Sequence, residues 1–135
     1  MVRGIRGAIT VDEDTQEAIH SATRELLREL MDRNGVRDPA ELAAIIFTVT
    51  EDLVSTFPAE AARQLGMNRV PLLSAREVPV PGSLPRVIRI LALWNSDKSP
   101  DEIQHVYLRE ATRLRPDLES AWSVSYTHLT LPTKA

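Results

Sequence analysis

The sequence predicts an α+β domain in which about five β-strands accompany one long amphipathic helix and two or three short helices. Three observations support this class. One stretch near the amino terminus carries apolar side chains at helical spacing, and several short apolar runs between turn residues are typical of strands. The length of 135 residues suits a single domain with one hydrophobic core.

The chain opens with a strand and the long helix. Residues 3–11 (RGIRGAITV) predict the strand, and residues 14–35 contain the helix. The apolar residues of the helix fall on one stripe: Ile19, Ala22, Leu26, Leu27, Leu30 and Met31. Asp14 or Thr15 can cap its start, and Gly35 can end it in the left-handed conformation. One apolar stripe implies one packing partner, which we expect to be a sheet.

The middle of the chain alternates short helices and strands. Residues 38–41 (DPAE) form a capping-box pattern with proline at the first helical position, and they lead into a core strand at 43–50 (AAIIFTVT). Residues 57–66 (FPAEAARQLG) predict a short helix that ends at a glycine, and residues 70–75 (VPLLSA) predict a short strand. Residues 77–85 (EVPVPGSLP) contain three prolines and a glycine, which indicates a loop.

The remaining elements are two strands around a short helix. Residues 86–93 (RVIRILAL) are predicted to form a buried strand that Arg89 interrupts. Residues 99–102 (SPDE) repeat the capping-box pattern and predict a short helix. Residues 105–114 (HVYLREATRL) alternate between apolar and polar side chains as a strand does, with a slip in phase near Ala111.

The final fifteen residues, 121–135, differ from the rest of the chain in composition and in the pattern of apolar residues. Serine and threonine become more frequent, and the apolar patterning fades. The run resembles translated sequencing-adapter read-through found at the ends of unrelated assembled genes. We therefore expect one domain over residues 1–120, followed by an atypical tail that is a candidate for non-native sequence.

Composition argues against several classes of function. Hydrophobic residues make up 43% and charged residues 26% of the chain, as is usual in soluble globular proteins. The net charge of −3 and the aromatic content of 4% argue against a nucleic-acid partner. No apolar run approaches the roughly 18 residues of a membrane span, so no membrane partner is expected. The start MVRGIRG lacks the apolar core of a secretory signal, so a cytoplasmic location is the default expectation.

The common catalytic and metal-binding motifs are missing from the sequence. It contains no glycine-rich phosphate loop, no nucleophile elbow and no H-E-x-x-H. There is no cysteine, and His20, His105 and His128 do not stand at ligand spacing from one another. We therefore expect neither a metal nor another cofactor.

The residues with the most chemical interest are arginines embedded in apolar or glycine-bearing sequence: Arg6, Arg63, Arg89 and Arg115. Each could be a surface arginine whose aliphatic stem covers apolar neighbours. Arg89 is the most distinctive, because apolar residues flank it on both sides within the strand. A buried guanidinium keeps its proton and needs an anion, which is either an internal carboxylate or a ligand. Glu77 is a candidate for the internal partner and equally for a second pole of a site.

Six segments taken together resemble the monofunctional trimeric chorismate mutases of the Bacillus type. They are RGIRGA at 3–8, FPAEAAR at 57–63, VPLLSAREV at 70–78, VPGSLPRVIRI at 80–90, HVYL at 105–108 and LRPDL at 114–118. They occur in family order and spacing and cover residues 2 to about 118. The resemblance implies an isomerase that converts chorismate, a dianion, to prephenate on the route to phenylalanine and tyrosine. It also implies a mixed five-stranded sheet on one long helix, with three chains forming a pseudo-α/β-barrel and active sites at the subunit interfaces.

The resemblance also implies roles for individual residues. Arg89 would hold the ether oxygen of the enolpyruvyl bridge, and Arg6 and Tyr107 would bind the bridge carboxylate. Glu77 would face the ring and contact its hydroxyl, so that Arg89, Glu77 and Arg6 are the catalytic candidates. The further substrate-binding candidates are Phe57, Ala59 and Arg63 from a neighbouring chain, Leu73, Ser74, Ala75 and Arg76 beside Glu77, and Leu114 and Arg115 in the segment that leads into a C-terminal lid.

The chain departs from the family pattern at several positions. Ser74 stands where relatives have cysteine, and its hydroxyl can still offer a polar hydrogen. Leu73 stands where a threonine is sometimes found, so only a backbone role carries over. Glu60 stands at a position that is basic in some members, and we expect it to point outward because an acid would repel a dianion. The atypical tail replaces the family's lid.

Three other interpretations remain open at this point. The first is a non-catalytic trimeric protein that binds a small carboxylate metabolite through Arg6 and Arg89 without needing Glu77. The second is an enamine or imine deaminase on a related trimeric barrel, although its motifs are not seen in this sequence. The third is a scaffold protein in which Arg89 and Glu77 form an internal salt bridge.

Overall fold

The structure, a computed structural model, describes residues 1–114. Its strands are β1 (Val2–Thr10), β2 (Leu42–Val49), β3 (Leu72–Arg76), β4 (Val87–Asn95) and β5 (Val106–Leu108), and its α-helices are α1 (Gln16–Asn34) and α2 (Ala59–Gln64). Short 3-10 helices span Pro39–Glu41, Pro100–Glu102 and Arg109–Leu114. The candidate site residue Arg115 and the predicted tail at 121–135 lie outside the described residues. No helix in the described part is long and apolar enough to cross a membrane.

The five strands form one mixed sheet in the order β3-β2-β4-β1-β5. Strand β4 lies at the centre and pairs antiparallel with both β1 and β2. Strand β3 runs parallel to β2 at one edge, and β5 runs parallel to β1 at the other. This topology confirms the predicted α+β class and the mixed five-stranded sheet.

Helix α1 covers one face of the sheet and forms the main core with it. The stripe residues Ile19, Ala22, Leu26, Leu27 and Leu30 are fully buried, whereas Met31 is partly buried at the margin. Gly7 on β1 allows the helix to approach closely. A Cβ atom at this position would lie 3.2 Å from Cδ1 of Leu26 and 3.1 Å from Cγ1 of Ile90, so a larger residue would require these two side chains to shift.

The predicted ends of the helices are confirmed by their capping contacts. Thr15 rather than Asp14 caps α1, because its side chain accepts a hydrogen bond from the N–H of Ala18 at 3.1 Å. Gly35 ends the helix in the left-handed conformation, with φ of 75°. Both predicted capping boxes are present, at the two 3-10 helices that follow Asp38 and Ser99.

The strand predicted over residues 105–114 is wrong in its second half. Strand β5 ends at Leu108, and Arg109 has φ of 55°, a value that breaks the extended conformation. The guanidinium of Arg109 donates to the carbonyl of Thr10 at 3.2 Å and pairs with Glu25 at 2.8 Å. Thr10 and Glu25 are far from Arg109 in the sequence. Their contacts with Arg109 favour a turn here, which the alternation of apolar and polar residues in this segment does not reveal.

The prediction of a wholly buried strand around Arg89 is also wrong. In β4 the residues Ile88, Ile90 and Ala92 face α1 and are buried, whereas Arg89 and Leu91 are exposed on the opposite side. In the described chain the helices cover one face of the sheet, so the residues of β4 that point to the opposite side are exposed. We call the other side the open face; it carries Arg6, Ile46, Thr48, Leu73, Ala75, Arg89 and Leu91.

The carboxyl end of α1 is tied to the segment before β5 by the buried side chain of Asn34. Its Nδ2 donates to the carbonyl of Leu30 at 2.8 Å and to that of Gln104 at 2.9 Å. Its Oδ1 accepts the N–H of Gln104 at 2.7 Å. One fully buried side chain thus fixes the route by which the chain enters β5.

Replacing Asn34 with alanine should lower the free energy of unfolding by about 2–4 kcal/mol, because three hydrogen bonds disappear and main-chain groups of Gln104 lose their partners. Urea unfolding followed by circular dichroism measures the change. The matched control is Asn68→Ala at an exposed position, which should change stability by less than about 0.5 kcal/mol. Equal losses in the two variants would contradict this role of Asn34.

Candidate active site

The open face contains a cavity of about 320 Å³ near its centre. It is lined by Arg6, Ile46, Thr48, Glu77, Arg89, Ile90 and Leu91. Two guanidinium groups, one carboxylate and one hydroxyl therefore meet on an apolar floor. A few polar groups converging on an apolar surface are the usual composition of a small-molecule site.

Arg89 occupies the middle of this cavity because of the strand register. It lies on β4 directly between Ala8 of β1 and Thr48 of β2. Its side chain is 45% exposed, and its Nε lies 3.4 Å from Oε2 of Glu77. Its terminal Nη atoms donate no hydrogen bond to the described residues 1–114. The guanidinium is thus anchored at Nε, while its two-pronged end is available to an external anion.

Glu77 is held beside Arg89 by the end of β3. Its backbone N–H donates to the carbonyl of Val49 at 2.9 Å, which extends the pairing of β3 with β2 by one residue. The hydroxyl of Thr48 donates a hydrogen bond to Oε2 of Glu77, the same oxygen that Arg89 approaches. The carboxylate is three-quarters buried, so its position is set by these two neighbours.

Arg6 lines the cavity from β1, and Tyr107 lies on the neighbouring strand β5. Arg6 is exposed on β1, and its backbone N–H donates to Nδ1 of His105 at 3.0 Å. Tyr107 lies beside Ala8 and packs against it in a small cluster that also contains Val87 and Ala111. Tyr107 is buried as a residue, and its hydroxyl forms no hydrogen bond with residues 1–114, so this hydroxyl is available to a partner from outside the described chain.

The strand register explains how distant parts of the sequence meet in this cavity. Directly paired residues form one row across the open face: Ala75, Thr48, Arg89, Ala8 and Tyr107, on β3, β2, β4, β1 and β5 respectively. A second row contains Leu73, Ile46, Leu91 and Arg6. Side chains in directly opposed positions lie on the same face of a sheet, so each row presents its members together.

Phe57 and Ser74 lie outside this cavity, in a second concavity of about 460 Å³. Phe57 is 68% exposed on the loop before α2. Ser74 and Arg76 alternate with Ala75 along β3, so they point away from the open face. The guanidinium of Arg76 donates to the carbonyls of Thr50 and Leu53 at 2.9 and 3.2 Å, which ties β3 to the following loop rather than leaving the cation free.

The other candidates are more scattered in the single chain. Ala59 is buried in the main core, Arg63 is exposed on α2, and Leu73 is 61% exposed on the edge strand. Leu114 is partly buried against the cluster around Tyr107, and Arg115 lies beyond the described residues. The structure therefore brings Arg6, Glu77 and Arg89 together and places Ala75 and Tyr107 in the row of Arg89 and Leu73 in the row of Arg6. The other described candidates lie on other surfaces or in the core: Phe57, Ala59, Arg63, Ser74, Arg76 and Leu114.

Thr48 is the lining residue that sequence reasoning misses. It is a polar residue in an apolar strand, which is a weak signal because such residues are common at sheet surfaces. What gives Thr48 its importance is its register opposite Arg89 and its hydrogen bond to Glu77. Neither can be read from the spacing of residues along the sequence.

The loop that carries Phe57 is fixed to the start of α1 by Asp14. The carboxylate accepts the N–H groups of Val54 and Ser55 at 3.0 and 3.1 Å. Partial desolvation raises the pKa of Asp14, but the hydrogen bonds from Val54 and Ser55 outweigh this effect, so the pKa lies below its ordinary value of 3.8. The ionised form of Asp14 is therefore the form that holds the loop.

A depressed pKa means that Asp14 stabilises the fold above the ordinary value and that this contribution is lost as pH falls through the folded-state value. We expect the stability difference between wild type and Asp14→Ala to be constant near neutral pH and to shrink below about pH 4. Denaturant unfolding at a series of pH values tests this. The control is Asn68→Ala at an exposed position, which removes no titratable group and should give the same difference at every pH. A constant difference down to pH 3 for Asp14→Ala would rule the role out.

The fold and the cavity together define a small α+β protein that presents two arginines and a carboxylate in a cavity on the open face of its sheet. The chain belongs to the chorismate mutase type I family, whose model matches residues 2–118. This match confirms the resemblance seen in the six sequence segments.

Individual relatives agree with this assignment. The chain is 77% identical over 121 residues to the chorismate mutase AroH of Thermus thermophilus, an alignment that covers 90% of this chain and 99% of that protein. It is 40% identical over 119 residues to the chorismate mutase AroH of Bacillus subtilis (strain 168), covering 87% and 93% respectively. A solved chorismate mutase from Clostridium thermocellum superposes with a TM-score of 0.80 at 42% identity, covering 82% of this chain and 98% of that one.

Proposed function

We propose that this protein is a chorismate mutase, an isomerase that rearranges chorismate to prephenate in the biosynthesis of aromatic amino acids. Membership of the family supports the reaction. The observation that carries the assignment to this cavity is the contact of Arg89 and Glu77 on its wall, closest at Nε of Arg89, whose terminal nitrogens donate no hydrogen bond within residues 1–114.

The chemistry of the rearrangement suits the groups in the cavity. One carbon–oxygen bond breaks while one carbon–carbon bond forms within a single molecule. No proton is transferred, and no nucleophile is required. The enzyme has to hold a flexible dianion in its compact reactive conformer and to stabilise the charge that separates as the bond breaks. A site built from arginines and a carboxylate can do both.

We assign binding of the dianion to the arginines of the cavity. Arg6 and Arg89 lie on neighbouring strands, and both line the cavity. Guanidinium groups bind planar carboxylates through two parallel hydrogen bonds, which fixes orientation as well as position. We assign the bridge carboxylate to Arg6 and Tyr107, as the family resemblance implies, and the hydroxyl of Tyr107 forms no hydrogen bond within the described chain.

We assign the acceleration of the reaction to the two opposite charges of the cavity, a guanidinium and a carboxylate. In the transition state the ether oxygen becomes more negative and the ring becomes more positive. A cation fixed at the oxygen and a carboxylate facing the ring bind the transition state more tightly than the substrate, and only this difference raises kcat. We assign these roles to Arg89 and Glu77. An oriented donor of this kind is typically worth about 3–4 kcal/mol.

We further propose that the complete site forms between copies of the chain in a homotrimer. Several large apolar side chains are exposed in the single chain, including Leu73 at 61% and Leu91 at 37% on the open face. Exposed apolar surface of this kind is typical of interaction sites. Phe57 and Arg63 lie on other surfaces of the same chain, so we assign them to the wall that a neighbouring copy adds to the cavity.

Arg89→Ala should lower kcat by at least roughly 10²–10³, more than it raises KM, because the lost interaction forms mainly in the transition state. Arg89→Lys should recover part of the rate, since a point charge lacks the guanidinium fork. The assay mixes protein with chorismate and follows the loss of its ultraviolet absorbance.

The matched control is Arg33→Ala on α1, where the arginine forms an exposed pair with Glu29 and should leave turnover unchanged. If Arg89→Ala keeps most of its kcat, the assigned role is wrong. Glu77→Ala separates enzyme from binding protein: turnover should collapse while binding of the dianion persists. A wild-type protein that binds chorismate without consuming it would favour the binding protein.

Shared sites between copies can be tested by mixing two inactive variants. Arg63→Ala and Arg89→Ala, produced together in one cell, should regain about a quarter of wild-type activity, because random assembly places both intact halves at roughly one interface in four. The control combines Arg6→Ala with Arg89→Ala, whose altered residues line the same chain's cavity, and should regain nothing. Equal behaviour of the two mixtures would exclude the shared site.

A further inference from the structure

Thr48 is the lining residue for which the proposed reaction gives no direct role. It lies on β2 in the row of Arg89, and it is partly buried. Its hydroxyl donates to Oε2 of Glu77, the oxygen that also lies 3.4 Å from Nε of Arg89. One carboxylate oxygen of Glu77 is thus engaged by two neighbours, and the other has no hydrogen bond within residues 1–114.

This arrangement is not the one that the ion pair would adopt unaided. A carboxylate and a guanidinium prefer a two-pronged contact in which both oxygens meet two nitrogens of the fork. In that contact Glu77 would occupy at least one Nη atom of Arg89, whether it binds side-on through Nε and one Nη or end-on through both Nη atoms. Glu77 follows β3 and has a flexible side chain, so its rotamers alone do not prevent this collapse. The hydrogen bond from Thr48 holds Oε2 at the Nε side instead.

We propose that Thr48 is a positioning residue that keeps the carboxylate of Glu77 away from the Nη end of Arg89, so that the two groups act as separate poles. The inference rests on the proposed function for its catalytic consequence. Its structural content is independent of that function: removal of the hydroxyl allows Glu77 to pair with the Nη atoms of Arg89.

The first experiment measures turnover of chorismate by Thr48→Val, which preserves the shape of the side chain and removes the hydroxyl. We expect kcat to fall roughly ten- to hundredfold, the range for a hydrogen bond to a charged group. Thr48→Ser keeps the hydroxyl and should recover most of this loss. The matched control Thr23→Val removes a hydroxyl that bonds to the carbonyl of Ile19 in α1, and it should leave kcat unchanged.

The second experiment asks whether Thr48 acts through Glu77. In a Glu77→Ala background, which has no acceptor for the Thr48 hydroxyl, the further change Thr48→Val should lower the residual kcat by less than about twofold, because residues that act as a unit are not additive. A full ten- to hundredfold further loss would overturn the proposal. A structural role of Thr48 would also appear in the double variant, whereas a positioning role would not.

Crystal structures of wild type and Thr48→Val decide the matter even if the protein does not turn over chorismate. The expected result is that Glu77 moves from Nε to the Nη atoms of Arg89 in the variant. An unmoved Glu77 carboxylate would overturn the inference, whatever the activity. Absence of turnover in wild type, combined with a moved carboxylate in Thr48→Val, would defeat the proposed function and leave the positioning role standing.

Discussion

The structure depends on an imbalance between the two faces of its sheet. Helix α1 buries one face with a stripe of fully buried side chains. On the other face, Leu73 and Leu91 remain exposed together with Arg6 and Arg89. A sheet in water is stable when one face is covered, so the second face is free to carry polar groups and apolar contact surface. The cavity, its arginines and the surface that we assign to neighbouring copies all follow from this one-sided covering.

The strand register brings residues that are far apart in the sequence together on the open face. Strand β4 is central and antiparallel to both neighbours, so its midpoint Arg89 receives one flanking residue from β1 and one from β2. The parallel edge strands extend this row to Ala75 and Tyr107. A shift of one residue in any pairing would turn the affected side chains to the α1 face. Packing under α1 therefore fixes the geometry of groups on the opposite side.

Much of this fold could be predicted from the sequence, because its signals are local. The apolar stripe of α1, its cap at Thr15 and the glycine after it are all encoded within about twenty residues. The errors concern contacts between distant residues. Arg109 ends β5 through contacts with Thr10 and Glu25, and no spacing rule reveals them. Arg89 is half exposed because it lies on the face of the sheet that the described helices do not cover. Its apolar neighbours in the sequence, by contrast, indicate burial. The family motifs in the sequence identify Glu77 as a site residue, whereas Thr48 can be identified only from the strand register.

The energetics of the Arg89–Glu77 pair favour function over scaffolding. Its side chains are 45% and 25% exposed, and pairs with substantial exposure contribute about 0–1 kcal/mol to stability because solvent screens them. A pair held mainly for stability would therefore gain little at this position. In the roles that we propose, the same two charges would act on a transition state with separated charge, where one oriented donor is typically worth about 3–4 kcal/mol. In the proposed site the larger effect requires that the guanidinium fork stays open, so we infer that the arrangement around Oε2 of Glu77 matters more to catalysis than to folding.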